Sequence, residues 1–296
     1  MLAVSAPALA LTLVCALGFA ASDYFRKAAT EHIGPTLLLT VFVGGQVPLL
    51  GIWVMLTDGL QVSAAYWPYG LAAAAAGLIA NLFFILAMRA SALSLTIPVL
   101  GLIPVLTTAF GAIALDEIPS GQQLAGIALA VAGLITLYMP EGTRNPLRVV
   151  ARFATDTGAR YMLAVTVMWS ATAPLEKIGV QFSTAASHGF IQVCIITAVL
   201  LAYLIVRRGH TLAVAKAALT PAALASVTAG IAYGCQLVAY QLTLVGVVES
   251  LKRVIGLVSA LLLGRLLLNE TLNRTKIAGI MLMAVGVPLI ILPPLV

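Results

Sequence analysis

Charge is what this sequence has least of. Only 9% of its 296 residues are Asp, Glu, Lys or Arg, where a soluble domain carries roughly 25%. With 61% hydrophobic residues and a mean hydropathy of +1.09, the chain has more apolar surface than a water-facing fold of this length buries. Lipid must be the solvent for most of it. Cysteine is scarce as well. Cys15, Cys194 and Cys235 are odd in number and all lie in apolar runs, which argues against a disulfide framework and for small buried hydrophobes. His32, His188 and His210 are scattered, so no histidine metal site is expected. HExxH, CxxC, GxSxG and Gly-rich phosphate-loop patterns are missing, which leaves no catalytic constellation, no cofactor signature and no ATP site.

What the chain does have is a succession of apolar windows, each of a length that crosses about 30 Å of hydrocarbon. Ten are expected, at about 4–25, 35–56, 67–88, 93–115, 121–139, 160–178, 187–206, 221–242, 247–268 and 274–293. Ala- and Leu-rich spans without polar alternation mean helices and not barrel strands, because the backbone must satisfy itself inside lipid. The first stretch has no basic region before it and runs too long for a signal-peptide core, so it reads as a retained helix. A net charge of +6 would suggest nucleic acid in a soluble protein; here it reads as topology, and no nucleic-acid partner is expected. Arg26, Arg144, Arg148, Arg152, Arg160, Arg207, Arg208, Arg274 and Lys276 fall on odd-numbered connections and Lys177 on an even one, whereas Asp58, Asp116 and Glu117 all fall on the even side. The positive-inside rule then puts both termini outside the cytoplasm, in a multi-pass protein of the cell (inner) membrane.

The stretch 141–159 is a basic connector between residues 1–140 and 160–296, and these halves look alike. A shift of 153 sets Glu117 on Glu270, Gly126 on Gly279 and Gly133 on Gly286; near the front, a shift of 150 sets Lys27 on Lys177. Each half holds five spans, an odd number, so the second enters the membrane in the opposite sense. The expected fold is all-α, ten transmembrane helices as two inverted five-helix repeats around a central cavity.

The segments 98–138 and 257–290 each read as a helix, an acidic turn and a Gly-spaced helix. With MWSATAPLEKIG (168–179), they resemble the EamA-type members of the drug/metabolite transporter superfamily. Phe19 stands where the first half would carry the matching Trp. The resemblance spans the chain and implies a transporter. VVESLKRVIGLVSALLLG (247–264) also resembles the ninth helix of plastid sugar-phosphate translocators, in which an adjacent Lys-Arg pair binds phosphate. Lys252 and Arg253 occupy that place. The further basic residue of those translocators has no counterpart, since no Lys or Arg lies between Ala90 and Asp116.

Candidate site residues follow from the cost of polarity in lipid. A cation at mid-bilayer costs about 2.5–3.5 kcal/mol on insertion scales, so Lys252 and Arg253 need a reason. Glu249 lies four residues before Arg253 on one helical face and is expected to neutralise it, leaving Lys252 for an anionic group on a substrate. Snorkelling to an interface is the alternative. Tyr233, Gln236 and Tyr240 form an i, i+3, i+7 stripe that either faces a cavity or packs between helices. Asn81, Gln46, His188 and Gln192 are lesser candidates. Asp23, Lys27, Glu176 and Lys177 are gating or coupling candidates, with interfacial anchoring as the alternative. Pro98 and Pro104 interrupt the fourth span, and Glu117 and Glu270 read as solvated turn residues. The function expected is a secondary transporter, working by alternating access on a small organic metabolite with an anionic group, such as an amino acid or an organic or phosphorylated acid. Its partners are that solute, the bilayer and a coupling ion (a proton) or an exchanged solute. The competing reading is a membrane-embedded enzyme acting on lipid or isoprenoid phosphates, for which only Glu249 could serve as base.

Overall fold

The computed structural model describes residues 4–30, 32–90, 97–137, 155–207, 216–255 and 274–292. They form α1 (Ala6–Thr30), α2 (Pro35–Gly44), α3 (Val47–Leu56), α4 (Tyr66–Ala90), a 3-10 turn (Ile97–Leu102), α5 (Ile103–Leu115), α6 (Gly121–Leu137), α7 (Thr157–Gln181), α8 (Ala185–Val206), α9 (Lys216–Leu242), α10 (245–255) and α11 (Arg274–Ile291). The protein is an all-helical, multi-pass integral membrane protein. Among the described residues, five stretches are long and apolar enough to cross a bilayer: Ala6–Arg26, Pro35–Leu56, Tyr66–Ala87, Ala185–Val206 and Ala217–Leu242. The outward faces are oily, with Met55 and Ile113 more than four-fifths exposed, which suits contact with acyl chains. Most of the basic connector, Glu270 and the side chain of Lys27 lie outside the described residues.

Local chemistry explains the breaks. Pro35 and Pro48 sit at the first turns of α2 and α3, where a missing N–H costs nothing. Pro98 falls in the 3-10 turn and Pro104 opens α5, so the fourth apolar run is a tight turn followed by an α-helix. α7 carries Arg160, Glu176 and Lys177 with several hydroxyl residues, and is not among these five stretches. Its hydroxyls are spent internally: Thr166 and Ser170 each donate to the carbonyl four residues earlier and approach Val99 O and Ile103 O at 3.3 and 3.4 Å.

Three helix pairings organise the core. α1 lies along α9, α7 lies along α4, and α6 lies along α11. The last pair meets through glycine. A Cβ on Gly126 would stand 2.8 Å from Gly286 O, and one on Gly133 would stand 2.6 Å from Gly279 O. Both obstacles are backbone and cannot swing away, so only glycine fits.

One end of the bundle is tied shut across the two halves. Ser63 N donates to Phe182 O at 3.0 Å, Gln61 N donates to Ser187 Oγ at 2.9 Å, and the rings of Tyr69 and Phe182 stack at 5.7 Å. Nearby, Glu117 pairs with Lys177 and accepts from Val245 N at 2.8 Å, while Lys177 Nζ also donates to Thr243 O at 2.7 Å. The expectation of a solvated Glu117 is thereby corrected. Its carboxylate sits at the opening of α10, where free backbone N–H groups and the helix dipole attract an anion.

Candidate functional site

A cavity of about 440 Å³ lies between the halves. It is lined from α1, α2, α4, the 3-10 turn, α7, α8, α9 and α10, and a volume of this size suits a small molecule. Its charged walls run from Asp23, whose side chain is 57% exposed, inward to Glu249 at 4%. The mouth is therefore at the Asp23 end, away from the tied loops.

α10 brings its charges into this space because the helix begins beside Glu117 and points its second turn inward. The pairing there differs from the i, i+4 expectation. Glu249 pairs with Lys252, three residues on, and Lys252 Nζ also donates to Gln236 Oε1 at 2.7 Å. The Phe19 ring lies 5.4 Å from the same ammonium. Lys252 is thus fully engaged, and the assignment of surplus charge to it is corrected. Arg253 turns instead toward α7, where its guanidinium lies 5.7 Å from the centroid of Trp169. Its buried Nε has no hydrogen-bond partner, and among the described residues no carboxylate reaches it. An aromatic face attracts a guanidinium without neutralising it.

The stripe on α9 faces the cavity and orders its carboxylates. Tyr240 donates to Glu249 Oε1 at 2.8 Å; Tyr233 and Gln236 donate to Glu176 at 3.3 and 3.1 Å. Gln236 spans Lys252 and Glu176, one end of its amide on each. Glu176 has two neutral donors and, among the described residues, no cation within ion-pair distance. Period 3.6 on α9 aligns the three side chains; their opposing partners come from α7 and α10.

Other candidates divide. Asn81, Gln46 and Gln192 line the cavity; Asn81 donates to Gly77 O at 2.8 Å, and Gln192 donates to Tyr66 Oη and Gly70 O. Asp23 lines it too, paired with Arg26. Lys177 does not: one residue after Glu176, it points away into the tied end. His188 is fully buried outside the cavity, edge-on to Tyr66, with both ring nitrogens unpartnered. Sequence reasoning missed the aromatic lining. Arg26, read as a connection charge, is only 5% exposed and sits over the rings of Phe42 and Phe84 at 5.1 and 4.8 Å. The signal that could have found it is its place one turn beyond Ser22 and Asp23, on the same face as Phe19.

A family model described as the EamA-like transporter family matches residues 6–139 and 156–292. A solved crystal structure is similar with a TM-score of 0.73 at 17% sequence identity, over 95% of this chain and 95% of its own. That likeness shows a shared fold. No match is found among curated proteins.

Proposed function

The chain belongs to the EamA-like transporter family, and on that premise we propose that it is a secondary carrier for a small organic metabolite bearing an anionic group. The observation that carries this reading is Arg253: a cation facing a cavity, stacked on Trp169, with an orphaned Nε and, among the described residues, no carboxylate within ion-pair distance. A half-buried charge without an ion-pair partner is costly inside a membrane. A carboxylate or phosphate arriving through the mouth offsets that cost and supplies charge-assisted hydrogen bonds. The aromatic rings around it take the apolar remainder of the solute.

The carrier works by alternating access between two inverted five-helix repeats of ten helices in all. The pairings support this. Offsets of 150–153 relate α1 to α7, α4 to α9 and α6 to α11, so α1 on α9 and α7 on α4 are one contact with the halves exchanged. Under the 153 offset, Gly126 against Gly286 becomes Gly279 against Gly133, the seam's other contact. These glycines run in opposite order along α6 and α11, as a two-fold axis in the membrane plane requires. The mouth at the Asp23 end lies on the side of the basic connections, which the positive-inside rule makes cytoplasmic, with the termini on the opposite face. An ion gradient or solute exchange drives the cycle.

The test is uptake by proteoliposomes containing the full chain, using radiolabelled amino acids, dicarboxylic acids and sugar phosphates. At least one anion-bearing class is taken up, and Arg253→Gln lowers that uptake tenfold or more while circular dichroism stays unchanged. Uptake restricted to uncharged solutes, or indifferent to a folded Arg253→Gln, overturns the reading.

A further inference from the structure

Gln192 lines the cavity, yet its amide is committed to the other half of the molecule. From α8 its Nε2 donates to Tyr66 Oη at 3.1 Å and to Gly70 O at 2.8 Å, both in the opening turns of α4. Tyr66 is fully buried, and its ring lies over Gly70, where a Cβ would overlap it. The far edge of that ring meets His188 at 5.6 Å. The start of α4 also carries the tie. Tyr66 N donates to Ser63 O at 3.1 Å, and Ser63 N donates across the halves to Phe182 O at 3.0 Å. A bond in the cavity wall and a bond in the tie are therefore three residues apart on one chain segment.

We infer that Gln192 is a positioning residue that makes the tied end answer to the cavity. An occupant that draws the Gln192 amide to itself frees Tyr66, and with it the start of α4, so the tie loosens. This rests on the carrier reading above and adds its trigger. With the cavity empty, the amide has reason to stay where it is. Gln192 is only 3% exposed, and parting it from α4 strands two buried N–H groups. An acceptor oxygen on the solute takes those N–H groups over, so the parted form gains stability from occupancy and the tied form does not. Asn81 makes the contrast. It lines the same cavity but donates to Gly77 O, four residues back in its own helix, so engaging it disturbs no contact between the halves.

Spin labels at the exposed positions Asp58 and Gln241, with the three cysteines replaced by alanine, read the separation across the tied end in the full chain in nanodiscs. Without solute, Tyr66→Phe and Gln192→Leu each raise the long-distance population by about fivefold or more, the equivalent of one net hydrogen bond. The double variant goes no further than Gln192→Leu alone, and Asn81→Leu keeps the parental distribution. A folded Tyr66→Phe or Gln192→Leu with the parental distribution, or effects that add, overturns the inference while the carrier reading stands. Deuterium exchange at the amides of Gln61 and Ser63 needs no variant. Its probes are leucine, succinate and glucose 6-phosphate, one from each class of the uptake test. A probe that proteoliposomes take up should speed exchange at both amides in the unmodified chain and leave it unchanged in Gln192→Leu. A probe that is taken up while exchange in the unmodified chain stays constant overturns the inference alone; uptake of none overturns the carrier reading with it.

Discussion

Lys177→Met is expected to open the tied end of the bundle. The Glu117–Lys177 pair joins three chain segments, since Glu117 also holds Val245 N and Lys177 also holds Thr243 O. Both side chains are well shielded, at 11% and 16% exposure. Breaking a buried pair costs about 3–5 kcal/mol, because the remaining charge stays buried. Here Glu117 keeps the Val245 N–H and the start of a helix, which moderates the loss to about 3 kcal/mol. The cycle proposed above must break this tie to open that face, so losing it lowers the energy of the open form relative to the closed one. About 3 kcal/mol is roughly a 150-fold shift in equilibrium. An open state populated at about 1% would then rise to roughly 60%. Spin labels at the exposed positions Asp58 and Gln241, with the three native cysteines replaced by alanine, report the separation across this end. Double electron–electron resonance in nanodiscs should show a longer distance in Lys177→Met and the parental distance in Lys177→Arg. A folded Lys177→Met with the parental distribution refutes the argument that this pair holds the end closed.

His188→Leu removes two buried ring nitrogens that have no partner, so melting in detergent should show a gain of about 1–3 kcal/mol, the penalty of an unsatisfied polar group; an unchanged or lower midpoint contradicts this. Gly133→Ala drives a methyl against Gly279 O and should destabilise by about 1–3 kcal/mol. Gly121→Ala, with open space around it, should be near neutral in the same melts.

The membrane class and the helices among the described residues were legible because lipid demands long apolar runs, and those survive any detail of packing. The α9 stripe was legible for a similar reason: two tyrosines and a glutamine at helical spacing stand out in an apolar helix. The charge pairing on α10 was not. Glu249 can reach forward either three or four residues, and sequence spacing cannot choose between Lys252 and Arg253. Trp169 and Gln236 decide it from other helices, one drawing the guanidinium away and the other receiving the lysine. Arg26 was misplaced for the same reason, since Phe42 and Phe84, which shelter it, lie far away in sequence. Glu117 looked solvated because its ligands are a lysine 60 residues on and a backbone N–H farther still.

The glycine seam between α6 and α11 has a consequence for how the proposed transport cycle is biased. Exchanging the two halves carries its contacts onto one another, so the seam is its own mirror partner. In the alternating-access cycle proposed above, whatever it contributes to a state opening one way, it contributes equally to the state opening the other way, and the two cancel. It can serve as a fulcrum but not as a spring. Preference for one orientation must come from positions where the halves differ, such as Phe19 against Trp169, or the Lys252–Arg253 pair, which has no basic counterpart in 91–115. In that proposed cycle, directionality is therefore written in broken symmetry.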